Sequence, residues 1–388
     1  MDLAYTEEER EFRARLRTWL GKVLPELPPR PSPDDWPGRR AYDLGWQRRL
    51  HDAGYAGLHW PVEAGGRGAT PTQHLIFLEE TERAGAPYVG ANFVGLLHAG
   101  PTIAAEGTAA QRARWLPPVL RGDEVWCQGF SEPGAGSDLA ALRTRAVRDG
   151  DAYVVSGSKI WTSHAEVADW CELLVRTDPQ APRHRGISWL AMPMDAPGVT
   201  VRPLRTLAGS TEFAEVFLDE VRVPVANRVG AENDGWRVTM VTLSFERGTA
   251  FVGEVVACRR VLSELAREAR RTGRWDDPAL RRRLGRLAGE FGALWRLTQW
   301  NVSEAQASAG SGLAPPGIGG SVFKLRYSHA RQELYDTAAE VLGAGALEAD
   351  RDWVQDRLSS LSYTIAAGTS QIQRNIVAER ILGLPRGR

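Results

Sequence analysis

The stretch CQGFSEPGAGSD at residues 127–138, followed by YVVSGSKIWTS at residues 153–163, decides how this chain is read. In the first half Pro133 stiffens the backbone, and Gly134 and Gly136 free it just before Ser137 and Asp138. Ser137 or Asp138 then stands where an N-cap belongs, ahead of a short helix expected over residues 139–142. Backbone N–H groups in a glycine-rich turn that runs into a helix start form a seat for carbonyl oxygens or phosphate. The second half alternates (Tyr153, Val155; Ile160, Thr162) like paired strands around a turn at Gly157 and Ser158. It ends with Trp161, a ring to stack on, and Ser163, a hydroxyl beside it. Taken alone, each half also reads as ordinary structure, a loop and a hairpin with a packed tryptophan.

Composition fits an enzyme of two or three domains, since 388 residues can bury a large core. Its 48 basic and 48 acidic residues cancel, which points away from nucleic acid and anionic surfaces. Cys127, Cys171 and Cys258 are widely spaced, odd in number and without a metal-ligand pattern, so a reducing compartment and no metal are expected. The N-terminal region is acidic (Glu7, Glu8, Glu9) and no apolar run reaches membrane length. The expectation is a soluble, cytoplasmic protein with neither signal peptide nor membrane insertion.

Periodicity divides the chain in three. Residues 1–121 read as an all-α domain: Thr6 and Glu9 make a capping box, and Phe12, Leu16 and Leu20 form a stripe that Pro25 should stop. Further helices are expected over residues 42–53, 71–85 and 108–116, with a Pro-rich loop at 28–37 and a tight Gly-rich turn at 59–68. Residues 122–229 read as an antiparallel β domain, because short runs such as 173–175, 187–191 and 216–218 are separated by Pro, Gly and Asp. Residues 230–388 read as a helical bundle, with helices from Val238 towards Ala266 and over 278–307, 321–342 and 369–382, and a Gly/Pro loop at 310–320.

In order and spacing, Ser131, Glu132, Pro133, Gly136, Ser137, Asp138, Lys159 and Trp161 closely resemble the acyl-CoA dehydrogenase family of flavoproteins. The string at residues 59–68 is similar to a signature of that family's N-terminal domain. The tail AAGTSQIQRN at residues 366–375 resembles a third, so the resemblance spans essentially the whole chain. It implies an α+β multidomain fold: an N-terminal all-α domain, a middle antiparallel β domain and a C-terminal four-helix bundle. It implies FAD held by Gln128, Phe130, Ser131, Ser137, Trp161, Ser163, Thr369 and Gln371. Thr369 is also a good N-cap for the last helix.

This sequence departs from the family where many members carry the catalytic glutamate, just before the Gly-Thr pair. The residue here is Ala367, which cannot take a proton. A smaller set of relatives places the base on the helix that opens the C-terminal domain, before an arginine, and Glu246 with Arg247 matches that position. The helical neighbours of Glu246 (Thr242, Leu243, Thr249 and Ala250, with Gly253 one turn further) include no basic residue, and the stripe of Thr242, Glu246, Thr249, Ala250 and Gly253 is otherwise small and uncharged, leaving room for another body. Ser137, Arg247, Ala366 and Ala367 are the substrate-side candidates. Two family strings at the adenine end are degraded, surviving as Arg270, Arg271, Thr272, Gly273 and as Glu340, Val341, Leu342, Gly343, Ala344.

What the resemblance implies is α,β-dehydrogenation of an acyl-CoA thioester, with Glu246 taking the α-proton and electrons passing through FAD to an electron-transfer flavoprotein. A homotetramer or dimer is expected, or a mixed oligomer with a related chain. Two alternatives stay open: a flavin monooxygenase on the same fold, and a non-catalytic subunit that completes a partner's site.

Overall fold

The computed structural model describes residues 4–246, 252–308, 319–347 and 353–385. Its N-terminal helices begin where side chains can satisfy bare N–H groups. Thr6 caps α1 (Glu7–Val23) in a reciprocal box with Glu9, and Phe12, Leu16 and Leu20 are buried along one face. The same device, Thr70 with Gln73 and Thr108 with Gln111, opens α3 (Pro71–Arg83) and α5 (Ala109–Arg121). Helix α2 (Trp36–Asp52) starts six residues earlier than the expected 42, because Asp35 accepts from Gly38 N and Pro37 sits in the first turn, where no N–H is needed. Helix α5 runs on through Pro117 and Pro118 instead of stopping at Leu116, and ends at Gly122 in a left-handed conformation. Trp115, Leu116, Val119 and Leu120 are all buried along it, so packing overrides the missing donors. The π turn Gly95–Ala99 and helix α4 (Gly100–Glu106), which the periodicity did not mark, complete this layer.

Eight strands follow: β1 (Trp126–Gly129), β2 (Arg145–Asp149), β3 (Ala152–Ser163), β4 (Trp170–Arg176), β5 (Ile187–Pro193), β6 (Val199–Leu204), β7 (Phe213–Pro224) and β8 (Arg228–Val229). They form one sheet in the order β6-β7-β3-β2-β4-β5-β8, with β1 against β4. Pairing is antiparallel except for β1 with β4 and a single pair between β2 and β4. Residues 153–163 are therefore not the hairpin that the sequence suggested. They are one strand, paired with β2 on one edge and β7 on the other. Gly157 marks a shift of register, not a turn. A Cβ there would meet the Thr144 Cα at 2.8 Å, which only glycine avoids.

The sheet is fastened to the N-terminal helices by aromatic rings. Trp126 stacks on Trp170 (5.6 Å) and on Trp189 (6.5 Å), and Trp115 from α5 meets Trp126 edge-on at 5.9 Å. Beyond the sheet, α6 (Gly235–Glu246) lies against β5 and α4, so the first C-terminal helix is anchored on the other two parts. Helices α7 (Val252–Arg271), α8 (Pro278–Ser308) and α9 (Gly319–Leu342) pack on one another, with the short α10 (Trp353–Ser360) on α9. Val255, Leu265, Leu287, Phe291, Tyr327 and Leu334 form their core, each side chain contributing about 1.5–3 kcal/mol by burial. Leu75 of α3 joins that core, so the N-terminal helices also bear on the bundle. The expected loop at 310–320 falls mostly outside the described residues. Among those described, no helix is long and apolar enough to cross a membrane.

Candidate functional site

The loop at residues 131–138 is held from beneath by a buried ion pair. Glu132 turns inward and accepts from Arg143 N (2.7 Å), Thr144 N (2.8 Å) and Lys159 Nζ (2.9 Å). Lys159, fully buried in β3, also donates to the Phe130 carbonyl at 3.2 Å, and Ile160 N donates to the Ser131 carbonyl at 3.0 Å. Burial alone would raise the Glu132 pKa, but the Lys159 charge and the Thr144 and Arg143 donors outweigh it and hold the carboxyl below its ordinary value. On Lys159 burial wins, and its ammonium lies below the usual lysine range despite Glu132.

This clamp leaves the outer rim of the loop free. Gly134, Gly136, Ser137 and Asp138 are exposed, and a Cβ on either glycine would meet nothing within 4 Å among the described residues. The loop's own packing therefore does not demand these glycines, and room at the rim suits a body from outside the chain. The expected cap does not form. Asp138 pairs with Arg183, and the short turn Leu139–Ala141 has no side-chain cap. Exposed to solvent, Asp138 finds a guanidinium a better partner than a three-residue turn's N–H groups.

A second shift of register, between Lys159 and Thr162, re-aims the end of β3. There Trp161 adopts φ +61°, and its ring, with Phe213 edge-on at 6.0 Å, is 58% exposed. A left-handed backbone under a large aromatic is costly, and a packed core tryptophan would not stand out in solvent. Ser163 follows between two buried groups whose polar atoms, Thr162 Oγ1 and His164 Nδ1, have no partner among the described residues. Burial, then the charge of Arg39, brings the His164 imidazole down to about 4. An exposed ring beside an open glycine rim fits the flat face of a flavin.

Phe130 is in the core, and only its backbone reaches the loop. Gln128 turns to Glu172 (2.8 Å) and His98 (3.3 Å), a buried polar group joining β1 and β4 to the N-terminal helices. The sequence reading missed this group, although Glu172 in the otherwise apolar run WCELLV was a signal for it. In the tail, Thr369 caps α11 (Ser370–Ile376) by accepting from Ile372 N at 3.2 Å, while Ala366, Ala367 and Gln371 are exposed. Among the described residues no hydrogen bond joins this tail group to the loop and β3.

Glu246 is the last described residue of α6, with its side chain outside the described part, and Arg247 lies outside the described residues. The stripe expected to be open ahead of Glu246 is closed at Thr242, which is buried and accepts from Thr102 of α4 at 2.9 Å. A threonine hydroxyl on that face pays for its burial by pairing with another.

Three family models cover the chain: the N-terminal domain of acyl-CoA dehydrogenases at residues 6–123, the middle domain at 127–221 and the C-terminal domain at 233–382. The chain is 41% identical to acyl-CoA dehydrogenase IpdE1 of Mycobacterium tuberculosis, over 98% of this chain and 99% of that protein. Among solved structures it is similar to a steroid ACAD, Tcur3481-Tcur3483, with a TM-score of 0.83 and 32% identity over the whole of both chains. It is similar also to the ChsE4-ChsE5 complex of Mycobacterium tuberculosis, with a TM-score of 0.81 and 33% identity over the whole of both chains. With all three of its parts matched in order and a relative alike from end to end, the chain is a member of the acyl-CoA dehydrogenase family of enzymes.

Proposed function

We propose that the protein oxidises an acyl-CoA thioester to its 2-enoyl form. The observation that carries this reading is the exposed Trp161 ring, lifted out by a strained bulge beside the open loop at residues 131–138. Backbone strain of this kind persists where surrounding structure enforces it, here the ladder to β7. Ser131, Ser137, Trp161, Ser163, Thr369 and Gln371, with Gln128 and Phe130 behind them, would hold FAD, which when bound would supply an acceptor for the β-hydrogen and its electron pair.

The chain's own part is to take the α-proton and to hold the thioester. Glu246 is the base, because Ala367 at the alternative position offers only a methyl group. The charge that develops on the thioester oxygen is met by the Ala367 backbone N–H, a donor that survives any change of side chain. Arg247 and Ser137 complete the substrate side. Ala366 and Ala367 are both exposed, so the described part of this chain does not fill the space that larger side chains would take. An acyl group branched or ring-bearing near the thioester fits that space, each additional buried CH₂ contributing about 0.8 kcal/mol. The similarity to a steroid ACAD accords with a ring-bearing substrate.

Electrons pass on to an electron-transfer flavoprotein, and the assembly is mixed, with a related chain completing the adenine end. The degraded strings support this, because their charged residues are engaged locally: Arg270 lies over Trp275 at 3.8 Å, Arg271 pairs with Glu268 at 2.7 Å, and Glu340 pairs with Arg283. A structure solved as the ChsE4-ChsE5 complex is in keeping with it.

Product analysis tests the reaction. With an acyl-CoA and an artificial electron acceptor, the protein should yield the 2-enoyl thioester without taking up oxygen. Oxygen uptake, with oxygen found in the product, would identify a flavin monooxygenase instead.

A further inference from the structure

The tail that carries Ala366 and Ala367 is gripped by one buried cation. Lys324 of α9, 4% exposed, donates through Nζ to the carbonyls of Tyr363 (2.5 Å), Ala366 (2.9 Å) and Gly368 (3.3 Å). Ser328, one turn further along α9, donates to the same Tyr363 carbonyl at 2.8 Å. Gln373 reaches back from α11 to the carbonyls of Ala367 (3.2 Å) and Gly368 (3.4 Å). Between these fixed points the backbone is left-handed at two successive residues, φ +50° at Ala367 and +84° at Gly368. A non-glycine residue holds that conformation only when its surroundings enforce it, and here Lys324 and Gln373 do.

The peptide unit between residues 366 and 367 has a further property. Its carbonyl belongs to Ala366 and its N–H to Ala367, and in a trans peptide the two point in opposite directions. The carbonyl is bonded to the ammonium, so the N–H faces away from Lys324, and among the described residues it donates to nothing. A positive charge on the carbonyl oxygen draws electron density from the amide and makes the N–H of the same unit a stronger donor.

We propose that Lys324 is a positioning residue for the reaction: through the Ala366 carbonyl it aims and polarises the Ala367 N–H towards the thioester oxygen. The inference rests on the function proposed above. Lys324 does not touch the substrate. It acts on the enolate charge through one peptide unit, and it keeps that unit in a conformation alanine would otherwise leave.

The test uses the full-length, FAD-loaded protein and acetoacetyl-CoA, the smallest 3-keto acyl thioester, whose bound enolate is read by its long-wavelength absorbance. Wild type should lower the pH at which the bound ligand ionises. Lys324→Met should raise that pH by about one unit, a tenfold loss of enolate stabilisation. It should also lower kcat about tenfold with KM little changed, and speed amide exchange over residues 361–373. Should Lys324→Met fail to fold, Lys324→Gln, which keeps amide donors without the charge, takes its place with the same expectation. A folded, flavin-loaded variant that ionises the ligand at the wild-type pH overturns the inference, even if amide exchange is faster, because Lys324 is then only structural. A wild type that does not promote ionisation overturns the proposed function itself, and the inference with it.

Discussion

Glu246→Gln should keep its fold and its flavin and lose two to four orders of magnitude in the rate of flavin reduction by substrate, roughly 3–5 kcal/mol of barrier. Glutamine preserves the shape of the side chain and cannot take the α-proton. The helix beneath it should not move. Val238, Thr239 and Thr242 of α6 are buried, Thr239 and Thr242 bond back to Gly235 and Val238, and Thr242 pairs with Thr102. A rapid-mixing measurement of flavin bleaching, with far-ultraviolet circular dichroism as the control for folding, separates the two effects. If the variant bleaches at the wild-type rate, the base is elsewhere in the chain.

The second large effect is on stability. Glu132→Leu removes the partner of a fully buried ammonium and leaves the N–H groups of Arg143 and Thr144 without their acceptor. Breaking a buried ion pair from one side costs about 3–5 kcal/mol, whereas replacing both members is often close to neutral. Urea unfolding should therefore show a strongly destabilised Glu132→Leu, with much of the loss recovered in the double variant with Lys159→Met. The pair also predicts a pH dependence. Because the Glu132 carboxyl lies below its ordinary value when folded, its share of stability is present above the ordinary carboxylate range and is lost as pH falls through the folded value. The wild-type urea midpoint should drop on acidification, and that of Glu132→Leu should drop less. A single variant within about 1 kcal/mol of wild type would show that the clamp under the loop carries little of the stability.

Much of the fold was legible because its signals are local. Thr6 with Glu9 is a capping box in sequence and in space, and the stripe Phe12, Leu16, Leu20 is the face that is buried. Signals that failed were those whose meaning depends on a distant strand. Gly157 with Ser158 looks like a turn until β7 is laid beside it, when the glycine becomes the place where the ladder slips past Thr144. Pro117 and Pro118 look like a stop until the buried face of α5 is seen to run through them.

At the site, Glu132 and Lys159 were visible as motif letters but not as partners, since 27 residues separate them and only the sheet brings them together. The group of His98, Gln128 and Glu172 needs three separate elements, and nothing short of the fold assembles it. Lys324 stands in an ordinary amphipathic helix, and its role depends on carbonyls some 40 residues further on, 42 in the case of Ala366.

The central claim is that this chain binds FAD and reduces it with an acyl thioester. Its most direct test is an anaerobic titration of the purified protein, with any partner chain it requires, against straight-chain, α-branched and ring-bearing acyl-CoA thioesters while flavin absorbance is followed. The protein should be yellow, and its absorbance should bleach with branched or ring-bearing thioesters at lower concentrations than with short straight chains. A protein that stays colourless with added FAD, or one whose flavin no acyl thioester bleaches, would contradict the account.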